Sequence, residues 1–457
     1  MAKIKIEQIK IDKTIYPRQQ QDSRLIKEFA DAMRGGAVFP PIILEEKSHR
    51  LLDGLHRLKA AESIGCYEID ATLQKIPENI CPKLFCLSLS SKHGLRPSGK
   101  EKEIAAQEQY LAFPGTPNKK IAEMLGVSEE TIAKYLESLI AKHEENVRSV
   151  ILRLDKLGWT QEEIAAKLQE LWPEAKGTSQ DSISNLLREN LNSGFLVKID
   201  LRLPAEEIAK RLGLPEILAW AIKLDGKKDM ERMEILDINI QPYDVWNFGS
   251  CHELFGFEYP GRIPGQILAH VLYFFTNPGD LVLDPMAGSG TTQDACLVMG
   301  RKCYAYDIEN SGQRPDVILH NLKNGWPDRI KKARFIFWDP PYFQKKDSDY
   351  ATGSISNLSR IDYLKFFKSS LQEASSVVKK GTKLGLLMSD FDDLTDSTAG
   401  IFIWDYADIL RNSEWKLKRQ IQIPLSTQQV HPDIVLKFRE SKRLARLERY
   451  LIIAEAQ

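Results

Sequence analysis

The stretch "GDLVLDPMAGSGTTQDACLVMGRKCYAYDIE", residues 279–309, limits the fold of this chain more than any other. "LVLD" has the unbroken apolar character of a buried parallel strand and ends at Asp284. "AGSG" is a tight loop in which Gly288 and Gly290 let backbone come close to a ligand. "TTQDACLVMG" reads as a helix stopped by Gly300, and "KCYAYD" as a second strand ending at Asp307. Two acids thus stand at successive strand ends, 23 residues apart, which is the spacing of a ribose-binding carboxylate in a doubly wound sheet.

The loop also restricts the ligand. A dinucleotide fingerprint needs a third glycine, and Gln293 stands in its place; a P-loop needs a Gly-Lys-Ser or Gly-Lys-Thr end, and the loop has none. Glycines without a pyrophosphate grip suit a nucleoside ligand, with S-adenosyl-L-methionine the first candidate. Further on, "FIFWDPPYF" runs from Phe335 to Phe343. Its apolar half reads as a third strand, which brings Asp339 to the same carboxyl edge as Asp284 and Asp307. That edge is where open α/β sheets bind ligands.

A glycine loop like "DPMAGSG" followed by a tetrapeptide like "DPPY" resembles the amino-methylating DNA methyltransferases, over roughly residues 245–457. The resemblance implies a Rossmann-like, S-adenosylmethionine-dependent sheet over residues 240–457. It implies a catalytic set of Asp339, Pro340, Pro341 and Tyr342. Asp339 and the Pro340 carbonyl would accept hydrogen bonds from the exocyclic amine of a base drawn out of the helix, and Tyr342 would stack on that base. It gives the cofactor Asp284, Pro285, Ala287, Gly288, Gly290, Thr291, Thr292 and Asp307, then Asn321 from "ILHNLKNGWP", and Arg262 and Gln266 from "PGRIPGQILAHVLYFFTNPGD". Asp at the head of the tetrapeptide favours adenine N6 over cytosine N4; the cytosine enzyme stays as an alternative. No Pro-Cys pair occupies the position that ring-carbon methylation needs. The polar stretch "QKKDSDYATGSISNLSR" is too short for a target-recognition domain and reads as a loop over the flipped base, with Lys345 and Lys346 near phosphate.

Sequence reading would then fall to residues 95–235, which are helical in pattern. "KKIAEMLG", "EEIAAKLQ" and "EEIAKRLG" centre on Ile121, Ile164 and Ile208, with Ile and Leu four apart on one helix face. In the first copy Gly126 ends one helix and Ser128 caps the next; in the second, Thr160 and Glu163 form a capping box. These are helix-turn-helix features, and a short helical solenoid is the alternative. Glu129 and Glu130 face phosphate poorly, whereas Gln180, Asn185 and Arg188 suit base edges or phosphates. The third copy is consistent with packing alone.

Residues 1–78 mix short strands and helices. "YPRQQ", with Arg18, and "LLDGLHRLKAAESIG" resemble the ParB-like domain of chromosome-partition proteins. The resemblance puts a phosphate or nucleotide at Arg18, Gly54, His56 and Arg57, although Leu55 stands where the family's turn carries an acid. A helix cap with a surface arginine is the plain alternative.

Lys+Arg and Asp+Glu number 63 each, so any nucleic-acid surface must be local. The six cysteines form no CxxC pair, which suggests reduced thiols, no metal site and a cytoplasmic protein. No apolar run is long enough to span a membrane. The expected partner is double-stranded DNA, with a nucleotide at the first domain and a homodimer as further options. A ParB-like regulator carrying an inactive methylase fold is the competing class.

Overall fold

The computed structural model describes the chain apart from residues 1, 16–22, 91–96, 114, 173–177, 193–199, 259–260, 311–313, 344–353, 392–399, 425–434, 437–438, 441, 443 and 445–447. Two compact units emerge: residues 1–146 with 172–177, and residues 147–171 with 178–457.

In the first unit, β1 (Ala2–Lys5), β2 (Ile42–Glu45), β3 (Leu51–Asp53) and β4 (Glu68–Gln74) form a mixed sheet in the order β1-β4-β2-β3. β4 is antiparallel to β1 and parallel to β2. The amphipathic α1 (Ser23–Arg34) packs on α2 (Leu55–Ser63), which sends Leu55 and Leu58 into a core with Ile42, Leu44, Leu51 and Ala71. α3 (Pro82–Ser90), α4 (Gly99–Ala112), α5 (Asn118–Leu125) and the first half of α6 (Glu129–Lys156) bury a second cluster that includes Ile121, Leu125, Ile132 and Leu136. Between α5 and α6, Gly126 takes the left-handed conformation at φ 62°, and Ser128 accepts the Thr131 amide.

The second unit starts within α6, which continues past residue 147 to Lys156. α7 (Gln161–Leu171), α8 (Gln180–Asn192), α9 (Ala205–Leu212), α10 (Glu216–Lys223) and α11 (Asp229–Ile235) lead to α12 (Gly265–Phe275) and the large sheet. Its strands are β5 (Leu281–Asp284), β6 (Lys302–Asp307), β7 (Val317–Leu319), β8 (Phe335–Trp338), β9 (Lys383–Met388), β10 (Trp415–Pro424) and β11 (Glu448–Ala456), in the order β10-β11-β9-β8-β5-β6-β7. The five strands from β9 to β7 are parallel; β11 runs against them at one end, and β10, antiparallel to β11, returns to their direction. α13 (Thr291–Met299) crosses from β5 to β6, α14 (Arg360–Val377) from β8 to β9, and α15 (Ile403–Arg411) precedes β10. Every residue of β8 is at most 1% exposed, so "FIFW" is a core strand flanked on both sides. The chain proceeds from β5 through β6 to β7, then returns to β8 on the other side of β5. That places the topological switch point between β5 and β8.

The three Ile-Ala-x-x-Leu copies all form helices, but they pack on different surfaces. The Thr160–Glu163 capping box is made, with the Thr160 amide 2.8 Å from Glu163 Oε2. It belongs to a segment that closes over β6: Trp159 stacks on Tyr304 at 5.3 Å, and the Leu157 carbonyl accepts the Cys303 amide at 2.9 Å. In the third copy, α10 packs on α13.

Candidate active site

β5 is buried, and its closing residue, Asp284, is 3% exposed. The loop after it is pinned by its own backbone. Asp284 accepts the Met286 amide at 2.9 Å and the Thr292 hydroxyl at 2.5 Å. The Ala287 amide gives to the Tyr306 carbonyl, and the Gly288 amide to Asp307 Oδ2 at 2.8 Å. Gly290 caps α13 in the left-handed region at φ 81°, where a Cβ would lie 2.1 Å from the Arg314 guanidinium. At the end of β8, Tyr363 donates its hydroxyl to the Pro341 carbonyl at 3.0 Å, and the Trp338 indole donates to Met286 Sδ at 3.4 Å. The tetrapeptide is thereby fixed to α14 on one side and to the glycine loop on the other.

Between these ends lies a cleft with about 1060 Å³ of empty space that is open to solvent. It brings together Asp339, Pro340, Pro341 and Tyr342 with Asp284, Pro285, Ala287, Gly288, Thr291, Thr292, Asp307, Asn321 and Arg262. Gly290 and Gln266 do not line it. Gly290 is needed for the turn beneath the loop, and Gln266 donates to the Ser250 carbonyl at 3.2 Å. Met286, Ser289, Ile308, Phe337, Ser354 and Phe366 also line the cleft and escaped the sequence reading. Phe337 could have been found, because it alternates with Trp338 on a strand already recognised. Phe366 lies on a helix whose facing side is set only by tertiary packing.

Burial and nearby charge shift the acids. Burial pushes the Asp284 carboxyl up to about 7; the Thr292 and Met286 hydrogen bonds pull it down, and the Asp339 and Asp307 charges raise it further. Burial also raises Asp307, against the pull of the Gly288 and Glu309 amides. The residues suit a cationic nucleoside donor. Four acidic side chains, Asp284, Asp307, Glu309 and Asp339, line one cleft. Arg262, in its wall, has a buried Nε without an acceptor, which fits the carboxylate of an amino-acid tail. Asn321 caps the turn after β7, accepting the Lys323 amide at 3.0 Å.

Gln180, Asn185 and Arg188 lie on α8; Gln180 contacts Glu162 at 3.3 Å, and Asn185 and Arg188 are exposed. None of them lines the cleft. Lys345, Lys346 and Arg18 fall outside the described residues. Gly54 opens α2 at φ 104°, and His56 is buried. Arg57 spends its fork internally, on Asp53 at 2.8 Å and on the Pro40 and Pro41 carbonyls at 2.6 and 2.8 Å. Among the described residues no His, Cys, Asp and Glu cluster could hold a metal, and no helix is long and apolar enough to cross a membrane.

A mostly parallel sheet with strand-end acids around a glycine-loop cleft is a Rossmann-like α/β frame. Residues 165–314 match the family model described as DNA methylase, and residues 1–81 match the ParB N-terminal domain. The chain is therefore similar to amino-methylating DNA methyltransferases, with a ParB-like segment ahead of the methylase part. The methylase match includes the glycine loop and Asp307 and ends before Asp339. The DNA adenine methyltransferase YhdJ of Escherichia coli is 38% identical over 72 residues, 15% of this chain and 24% of that protein. The type II methyltransferase M2.DpnII of Streptococcus pneumoniae is 33% identical over 101 residues, 21% of this chain and 37% of that protein. The chain thus spans well under half the length of these relatives. Among solved structures, TrmN from Thermus thermophilus aligns with a TM-score of 0.27 at 14% identity, over 43% of this chain and 49% of that one. A likeness at that level carries no functional weight.

Proposed function

We propose that this chain is an S-adenosylmethionine-dependent DNA methyltransferase acting on the N6 amine of adenine. The observation that supports it best is the meeting of Asp284, Asp307 and Asp339 in one cleft at the switch point, with Tyr342 beside them. S-adenosylmethionine, when bound, supplies an electrophilic methyl on a sulfonium. The chain's residues do the rest. Asp307 presents a carboxylate to a ribose diol, and Arg262 presents a cation to a carboxylate tail. Asp339 and the Pro340 carbonyl would accept hydrogen bonds from the two amine N–H groups, which turns the nitrogen lone pair out of conjugation, and Asp339 would take the one proton released on methyl transfer. Pro340 and Pro341, with the Tyr363 bond, hold that geometry before substrate arrives. Tyr342 offers its ring to the extruded base.

Incubation with labelled donor and double-stranded DNA, followed by nucleoside chromatography, should yield N6-methyldeoxyadenosine. A labelled N4-methyldeoxycytidine peak, or no labelled nucleoside, overturns the assignment. Tyr342→Ala should lower kcat/KM on DNA by the stacking energy, about 1–3 kcal/mol or roughly five- to 150-fold, while Tyr342→Phe keeps it. Steady-state kinetics on one oligonucleotide series checks both.

The same reading puts the protein in the cytoplasm, with DNA held by the helical segments. It also leaves a phosphate or nucleotide at the start of α2. Because Arg57 is engaged by Asp53, Pro40 and Pro41, such an anion would be held by the helix-start amides or would displace that fork.

A further inference from the structure

We propose that Arg153 and Arg314 are positioning residues for the glycine loop, and that α6 thereby sets the affinity of the methyl-donor site. The four groups involved are Arg153, Asp294, Arg314 and Asp316. Arg153 donates Nε to Asp316 at 2.8 Å and its Nη2 to Asp294. Arg314 donates to both carboxylates as well, to Asp294 at 2.8 Å and to Asp316 at 2.9 Å. The side chains of Asp316 and Asp294 are 0% and 6% exposed, and both arginines are 12% exposed. Two cations and two anions thus balance in a nearly dry place.

The quartet reaches the loop directly through Arg314 and indirectly through α13 and residues 256–257. Arg314 Nη1 donates to the Ser289 carbonyl at 3.2 Å, and Ser289 lines the cleft. Asp294 lies in the first turn of α13, the helix that the loop opens, and accepts the Gly256 amide at 2.7 Å. Residues 256–257 in turn cross the loop: a Cβ on Gly256 would strike Ser289 Oγ and Thr291 Oγ1 at 2.7 Å, and the Phe257 amide donates to the Ser289 carbonyl at 3.3 Å. Arg153 enters from far upstream, 141 residues before Asp294, and lies outside the methylase-matching segment. Its helix therefore fixes the loop's backbone from behind. Lysine cannot replace it fully, since a point charge does not fork across two carboxylates. Loss of Arg153 leaves two buried carboxylates sharing one guanidinium, and an uncompensated buried charge is what drives rearrangement.

The affinity part rests on the reading of the cleft as the donor site; the bracing part does not. Four full-length proteins test it: wild type, R153K, R153A and the charge-balanced R153A/D316N. In the ligand-free proteins, hydrogen exchange of the Ala287–Gly290 amides should speed up about tenfold or more in R153A, against little change in β8 and β9. By calorimetry, the Kd for S-adenosylmethionine should rise about tenfold in R153A and less in R153K, and return to within about threefold of wild type in R153A/D316N. At saturating donor, kcat should stay within about threefold, because Asp339–Tyr342 stand on a different strand. Unchanged loop exchange in R153A overturns the proposal. So does faster exchange spread evenly over every strand, since the quartet would then only support global stability. If wild type binds no donor, the cleft reading fails, and the loop-exchange result alone decides whether the brace exists.

Discussion

Asp339→Ala should reduce methyl transfer by at least about 10²–10³-fold, the usual cost of removing one pre-organised electrostatic partner, while the donor's Kd stays within about threefold. Asp339 directly follows β8, whose four residues are at most 1% exposed, and the next turn is held by the Tyr363–Pro341 bond. The carboxylate therefore sits on a rigid element, and trimming it removes the acceptor without moving the frame. Asp339 follows β8, whereas the glycine loop follows β5, so donor binding should survive. Single-turnover transfer of labelled methyl, beside calorimetry with the donor, separates the two effects. A variant that keeps more than about a tenth of the wild-type rate rejects the catalytic role given to Asp339.

The second large effect concerns Asp284 and pH. Its carboxyl titrates near 7 in the folded protein, against an ordinary value of 3.8. Below pH 4 it is protonated whether the chain is folded or not. Between pH 4 and 7 the folded form keeps a proton that the unfolded form has lost, so stability falls as pH rises through that window. Above pH 7 the full cost is present, about 4 kcal/mol as an order of magnitude. D284N should therefore melt higher than wild type at pH 8, and its pH dependence should be flatter. The donor runs the other way, because its sulfonium favours the ionised carboxylate. Affinity for S-adenosylmethionine should rise about three- to tenfold from pH 6 to pH 8, while S-adenosylhomocysteine, whose sulfur is neutral, stays flat. Calorimetry at pH 6.5 in buffers of different ionisation enthalpy should count a proton released with the first ligand and not with the second. Equal proton counts for both would refute this linkage.

The parts of the site that could be read from sequence were those written in contiguous stretches. A strand end, its glycine loop and the next helix lie within a few dozen residues, so local rules place Asp284, Gly288 and Asp307 together. Asp339 joined them because "FIFW" is too apolar to be anything but a core strand. Arg153 was illegible for the opposite reason: its partners lie 141 and 163 residues away, and nothing in "SVILRLDK" marks an arginine aimed at a carboxylate. The repeated Ile-Ala-x-x-Leu pattern shows the complementary limit. Spacing reports which helix face is buried, but not what buries it. The copy at Ile121 joins a helical core, the copy at Ile164 lies in the segment that closes over β6, and the copy at Ile208 leads into α10 against α13.

The position of β11 has a consequence for how the protein is made. Residues 448–456 leave the ribosome after β9 and β10, yet they lie between those two strands in the sheet. Until they emerge, β9 has a bare edge and β10 has only the bridge from Gln422 to Val245, since each strand pairs along its length with β11 and not with the other. The nascent chain must carry Lys383–Met388 with half its ladder unmet while some sixty further residues are translated. Chaperone dependence during synthesis, more than stability once folded, is where that topology should be felt.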